Sequence, residues 1–425
     1  MNRPDRRTFV LSTGAAVLSS AVGKAEPADR IRLAIVGVRG RGRGVGLNFA
    51  RLPQAEVTHV CDVNEPLLAP YAKQIADVQK TTPKCVQDLR NVLADKSVDA
   101  IVVCTPDHWH ALATIWGCQA GKHVYVEKPV SNNAFESHQA LAAARKYKKI
   151  VQTGTQSRSV PHYKEAIEYV RSGKLGTVHM AKAWNSQLRR RVTGVADSPV
   201  PKGLDWNIWQ GPAPERPYND RRYSYGWRWF WDYGTGDMGN DGVHDLDIAR
   251  WGLGVDYPTA VNCTATKLFF DGDIQETPDT QIVTFSFPES KVMLLYEQRL
   301  WAPYHLEGHE NGVAFYGSEA YMLLGRSGWK VVGRGNKVLF DKKEKFSDIP
   351  HLEDFLSCIK SGKRPACDLE DGHRSTLLAH LGNIGYRVGR PFTFDGKTET
   401  IPGDEKANAL LKRPGRKGFE IPETV

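Results

Sequence analysis

Residues 234–251 read GTGDMGNDGVHDLDIARW, an imidazole set among carboxylates on a glycine-rich segment. Such a grouping suits proton transfer at His244, metal ligation, or nothing more than the start of a helix. Metal ligation falls away, because no other histidine or cysteine stands at a usable spacing. Asn240 or Asp241 is placed to cap the helix that carries His244, Asp247 and Trp251. A second segment, GVRGRG at 37–42, follows the apolar run IRLAIV and precedes the helical pattern VGLNFARL. Strand, glycine loop and helix form the setting in which backbone N–H groups approach a pyrophosphate at a helix N-terminus. Gly37 and Gly42 fit the first and third glycines of the G-x-G-x-x-G fingerprint, Arg39 stands at the second, and Gly40 lies between. Arg39, Arg41 and Arg43 offer charge-assisted contacts to the phosphates. Asp62, twenty residues past Gly42 at the end of the next apolar run, is placed to accept from both adenosine ribose hydroxyls and to repel a 2′-phosphate. NAD is therefore expected over NADP, with the arginines arguing the other way.

The elements that must position these groups are legible as alternating runs. EVTHVCD, DAIVVCTP, HVYVEKP and IVQTGT read as strands, with EPLLAPYAKQIAD, QDLRNVLAD, ALATIWGCQAG and AFESHQALAAARKYK as the helices between them. This spacing predicts an α/β fold with an N-terminal Rossmann parallel-sheet domain over 30–155. Beyond it VHMAKAWN, AVNCTATKLFF, QIVTFSF, KVMLLYEQRL, VAFYG and KVLF follow with few helices, predicting a C-terminal α+β domain with an open, mostly antiparallel sheet over 156–390. Helical patterns return at HLEDFLSCIKSGK and GHRSTLLAHLGNIGYRVGR, and 391–425 is expected to pack on the surface as a tail.

The chain of 425 residues is long enough for two cores. Its net charge of +9 includes a surplus of three in the first 25 residues and no dense basic run elsewhere, which argues against nucleic acid as a partner. Residues 1–25 read as a signal peptide, and Arg6-Arg7 before Thr8-Phe9-Val10-Leu11 resembles the twin-arginine export signal. No later segment is apolar enough to span a membrane. Seven cysteines without a CxxC pair, mostly in apolar runs, read as buried free thiols.

VYVEKPVS at 124–131 resembles the EKP segment of the glucose–fructose oxidoreductase and inositol dehydrogenase (Gfo/Idh/MocA) family, and CTPDHWH at 104–110 resembles its TP-x-H-x-H segment. VQTGTQSR at 151–158 is similar to the strand and loop leading into the second domain, and residues 234–251 have the spacing of the D-x-x-x-H segment. The resemblance implies a nicotinamide-dependent enzyme with catalytic Lys128 and His244. It also implies a cofactor lined by Thr105, Pro106, His108, Glu127 and Gln156, and a sugar faced by Arg158. His110 is expected to pack along the cofactor with His108 rather than to bind metal. Removing a hydride from a carbinol needs a base for the hydroxyl proton and a cation for the developing alkoxide, which His244 and Lys128 would supply. The aspartate expected four residues before His244 is Asn240, so Asp241, Asp237 or Asp245 supplies the charge from a shifted position, or His244 acts mainly as a hydrogen-bond donor.

The connection 186–235 carries Trp206, Trp209, Trp227, Trp229 and Trp231. Most are expected to pack the loop, with Trp227 and Trp231 facing substrate. Export would oblige the protein to keep its NAD bound, which favours a redox-neutral cycle on a sugar, polyol or glycoside. The alternatives are an NAD-dependent glycosidase working by transient C3 oxidation, and a non-catalytic nicotinamide- and sugar-binding module. A homodimer or homotetramer through the open sheet is expected.

Overall fold

Near-continuous apolar runs are what a strand buried on both faces requires, and the first of them, Ile31–Val36, forms the centre of a parallel sheet. A computed structural model describes residues 29–425, so the expected signal peptide lies outside the described residues. The first sheet comprises β1 (Ile31–Val36), β2 (Ala55–Cys61), β3 (Lys84–Val86), β4 (Ala100–Val103), β5 (His123–Val126) and β6 (Val151–Thr153), in the order β3-β2-β1-β4-β5-β6. All neighbours are parallel. The order reverses between β1 and β4, where a doubly wound sheet opens a crevice at the carboxyl ends of its strands.

The second sheet has nine strands: β7 (Val178–Ser186), β8 (Ala260–Thr266), β9 (Thr280–Phe287), β10 (Val292–Arg299), β11 (Asn311–Gly317), β12 (Ala320–Gly325), β13 (Gly328–Gly333), β14 (Val338–Lys343) and β15 (Phe392–Thr393). Their order is β14-β13-β12-β11-β7-β10-β9-β8-β15, and only β7–β10 is parallel. The fold class read from the sequence therefore holds. Three of these strands, β12, β13 and β15, were not expected, nor was β3 of the first sheet; the glycines of LLGRSGWKVVG make a tight hairpin between β12 and β13, with Gly328 at φ 127°. Helix Val243–Leu253 lies on one face of this sheet and sets Leu246, Ile248 and Ala249 into its core.

Two segments cross between the sheets. Helix Ile349–Ser361 buries Leu352, Phe355 and Leu356 against the first sheet, although it follows the second in sequence. The tail, expected on the surface, instead adds β15 to the second sheet and then returns to the first. There Phe419 packs edge-on to Trp109, and Arg413 bonds Glu136 at 2.6 Å and the carbonyl of Asp232 at 2.8 Å. His373 and His138, from two different helices, both bond Glu399 of the tail. All seven cysteines are free; Cys61, Cys118, Cys358 and Cys367 are buried, whereas Cys85 is exposed. Among the described residues no helix is long and apolar enough to cross a membrane.

Candidate active site

A cleft of about 570 Å³ opens at the carboxyl ends of β1, β2, β4 and β5. Its floor is the glycine loop. Gly37 has φ 85°, and a Cβ there would lie 2.7 Å from the Cys104 carbonyl; a Cβ on Gly42 would lie 1.8 Å from the Gly37 carbonyl. Only glycine lets loop, strand and helix Gly40–Arg51 pack this closely, which leaves the helix N-terminus open to the cleft. Asp62 lines the cleft with both carboxylate oxygens engaged, one accepting from Val38 N at 2.9 Å and the other from Asn64 N at 3.0 Å. Burial pushes its carboxyl up, countered by those donors and by Arg39. Thr105 and Pro106 line the opposite wall, and Thr105 Oγ1 is buried without a partner, as a polar atom awaiting a ligand would be. These features fit a dinucleotide. Asp62→Asn is expected to weaken NAD binding by roughly tenfold and to narrow the preference over NADP, measured by equilibrium titration with each cofactor.

The arginines of the loop divide. Arg39 remains at the cleft, 5.0 Å over the Tyr223 ring. Arg41 also lines the cleft but is paired within the protein, bonding Glu127 at 2.7 Å and Asp348 at 2.5 Å, and Arg43 bonds Gln74 at 2.8 Å. Glu127 is buried, and although burial opposes its charge, Arg41 and Lys128 hold its carboxyl below the usual range. Gln156 does not line the cleft; its amide donates to Tyr125 at 3.1 Å and to Glu127 at 3.2 Å, steadying the EKP segment from behind. His110 reaches the cleft wall, its Nδ1 2.5 Å from the Pro129 carbonyl and its Nε2 2.8 Å from that of Thr105, so the single N–H of either tautomer bonds one of the two segments. His108 was expected at the cofactor and is not there. It is fully buried under the connection, 2.8 Å from the Trp209 carbonyl and 3.3 Å from that of Tyr233, and burial drops its pKa to about 3.

Lys128 reaches from the first domain to the second. Its Nζ donates to the Asn240 carbonyl at 2.6 Å and approaches Asn240 Oδ1 at 3.4 Å. Asn240 in turn donates to Asp237 at 2.8 Å. A π-helical turn, Met238–Gly242, carries Asn240 into the helix of His244, and Gly242 starts that helix with no side-chain cap, so neither Asn240 nor Asp241 caps it. His244, four residues past the cleft residue Asn240, is half-buried and is not itself among the residues that line the cleft. Burial and the charges of Lys128, Arg326 and Arg41 hold its pKa well below the usual histidine range. None of the three nearby carboxylates orients it. Asp237 takes Arg189 and Asn185; Asp241 takes Arg189 and Gln187; Asp245, pushed up to about 8 by burial, leaves Oδ2 without a partner. His244 is therefore an imidazole without a carboxylate partner, four residues behind Asn240 at the lysine end of the cleft.

Two family models cover most of the chain. An oxidoreductase family model for a NAD-binding Rossmann fold matches residues 31–155, and the model of that family's C-terminal α/β domain matches 168–296 and 335–421. The chain belongs to the Gfo/Idh/MocA oxidoreductase family. It is thus an NAD-dependent oxidoreductase. The uncharacterized oxidoreductase YrbE of Bacillus subtilis is 25% identical over 386 residues, spanning 86% of this chain and 98% of that one. The myo-inositol 2-dehydrogenase of Thermotoga maritima is 23% identical over 367 residues, or 82% and 94% of the two chains. Among solved structures, the aldose-aldose oxidoreductase of Caulobacter crescentus superposes with TM-score 0.66 at 19% identity, over 86% of this chain and all of the other, a likeness of fold.

Within the family frame two substrate assignments move. Arg158 faces away from the cleft into a buried ion pair, bonding Asp247 at 2.7 and 2.9 Å with its guanidinium 5.2 Å over Trp251. It staples the crossing segment to the His244 helix. Arg158→Met is expected to cost about 3 kcal/mol of stability, since it leaves buried Asp247 only the Ser375 hydroxyl and Arg250 at 4.0 Å, read by denaturant titration. Trp231 lies outside the cleft, 6.3 Å from the Tyr386 ring and 5.4 Å from Arg387. Trp227 does line the cleft, and so does Trp209, which with Trp206 and Trp229 also forms the core of the connection. Sequence reasoning missed the rest of the roof: Tyr223, Tyr225 and Arg228, from a segment whose alternating aromatics and arginines were its one signal. Asn64 donates to Tyr223 Oη at 2.6 Å, and Glu65 N and Asp205 N each bond across the seam at 2.9 Å, so the connection sits down on the Asp62 end.

Proposed function

We propose that the protein oxidises a carbinol of a sugar, polyol or glycoside in a redox-neutral cycle on NAD that it keeps bound. The observation that carries this is the meeting of Lys128 and Asn240 at one end of a cleft whose other end fits a dinucleotide, with His244 four residues past Asn240 on the helix that follows. Bound NAD supplies the hydride acceptor. Lys128 positions the hydroxyl oxygen and offsets the charge that grows on it, and neutral His244 takes the hydroxyl proton. The roof seated over the Asp62 end supports retention of the cofactor, as export through the twin-arginine pathway would require. Ile282 and Met293, 46% and 39% exposed on the uncovered face of the second sheet, support a dimer or tetramer.

The test is to purify the protein without added nucleotide and to look for bound dinucleotide by absorbance and fluorescence. Neutral sugars, acidic sugars and aryl glycosides are then offered without further cofactor. Paired oxidation of one sugar and reduction of another is expected. Release of aglycone would instead make it a redox glycosidase. Failure to bind dinucleotide at any concentration would end the enzymatic reading.

A further inference from the structure

Arg228 lines the cleft at the end that holds Lys128 and Asn240 and is only 8% exposed. Its Nε and Nη1 are shielded from solvent without a hydrogen-bond partner among the described residues. The guanidinium is held flat by aromatic rings: Cζ lies 3.4 Å from the Tyr225 ring centroid and 5.0 Å from that of Trp227. The carboxylates whose charge reaches it are engaged elsewhere. Asp237 holds Arg189, Asn185 and Asn240, and Asp107 accepts from Thr235 at 2.8 Å.

A buried guanidinium with no ion pair is unusual, because desolvating a cation is costly unless an anion answers it. We propose that the anion arrives with the substrate: Arg228 receives an oxyanion group, a carboxylate or a sulfate ester, and makes the site selective for acidic sugars. This rests on the sugar-oxidising reading of the cleft. The cofactor's pyrophosphate has its own donors at the other end, in the open helix N-terminus and Arg39. Arginine suits the task better than lysine, since its planar fork matches a carboxylate or sulfate with two parallel bonds and stacks on aromatic faces. The rings of Tyr225 and Trp227 fix that fork before substrate enters, and Trp227 itself offers an apolar face to a sugar ring.

Binding tests this without turnover. The NADH-loaded protein is titrated with D-glucuronate, D-glucose 6-sulfate and D-glucose, followed by calorimetry and tryptophan fluorescence. At least one acidic sugar is expected to bind about tenfold more tightly than glucose, and which one does so separates carboxylate from sulfate. Arg228→Met should abolish that preference while NADH remains bound at the same stoichiometry, and Arg228→Lys should retain part of it. Glucose binding as tightly as both acidic sugars in the wild type would overturn the proposal, with no variant needed. So would a preference that survives in Arg228→Met, or loss of NADH from that variant, which would assign Arg228 to the cofactor. Tight binding of an acidic sugar that the enzyme never oxidises would leave the proposal standing and remove that sugar as the carbinol substrate.

Discussion

Lys128→Ala lowers kcat/KM by roughly 10³-fold while the protein still folds and still holds NAD; that is the expected result. The lysine is carried on a segment braced independently of its own side chain. Glu127 is fixed by Arg41 and Gln156, and the Pro129 carbonyl lies against His110 Nδ1. Truncating the side chain removes one strong bond, to the Asn240 carbonyl at 2.6 Å, at a half-buried place that water can refill. The stability cost is therefore about 1 kcal/mol. The catalytic cost is larger because the ammonium sits where a carbinol oxygen must gain negative charge. Lys128→Arg should not restore activity, since a planar fork presents its donors in another geometry than a compact ammonium. Losing Lys128 also removes one of the charges that depress His244, so the residual activity of Lys128→Ala should fall off at a higher pH than wild type does. Steady-state kinetics across pH, with a thermal melt and cofactor stoichiometry on the same samples, checks all of this. Activity retained within tenfold would remove Lys128 from the chemistry.

What could be foreseen depended on whether a residue's role was local. The parallel sheet was legible because five of its six strands are short apolar runs closed by Gly, Pro or Asp, whereas β3, Lys84–Val86, carries no such run; Asp62 was legible because its place at the end of β2 follows from that run. Gly37 and Gly42 were legible for the same reason: their constraint comes from contacts within one strand–loop–helix unit. Pairings between distant segments were not. Nothing in the sequence near Arg41 announces Glu127, eighty-six residues away, or Asp348, three hundred and seven away, yet those carboxylates hold its guanidinium. Arg158 was misplaced for the same reason, its partner Asp247 being eighty-nine residues on. His108 and His110 differ by two positions on one helix, so their side chains point some 200° apart. One enters the core of the connection and the other faces the cleft wall. Family spacing placed both in the site without resolving that rotation.

The second large effect concerns the imidazole. His244→Gln is expected to lower kcat by about 10²–10⁴-fold, as removal of a proton acceptor does. The wild-type pH profile carries the more particular prediction. A base whose pKa is depressed stays neutral, and so competent, until the pH falls below that depressed value. The acid limb of kcat should therefore lie well below the usual histidine range, with activity flat through neutrality. No carboxylate stabilises the imidazolium here; a carboxylate at position 240 would. Asn240→Asp places a negative charge on the turn preceding His244, beside Lys128 Nζ, and should move the acid limb upward by about one pH unit. The variant then loses activity in mildly acidic solution where wild type keeps it, although its base is intrinsically stronger. A limb that does not move would show that position 240 is electrically uncoupled from His244, and its role would reduce to seating Lys128. A limb already at the usual histidine range in wild type would mean that substrate or cofactor replaces the missing carboxylate once bound. Either way the amide at 240 is the residue to read, because it lowers the pH at which the base fails at the expense of basicity: each unit by which the imidazole pKa is depressed removes about 1.4 kcal/mol of driving force for taking the hydroxyl proton.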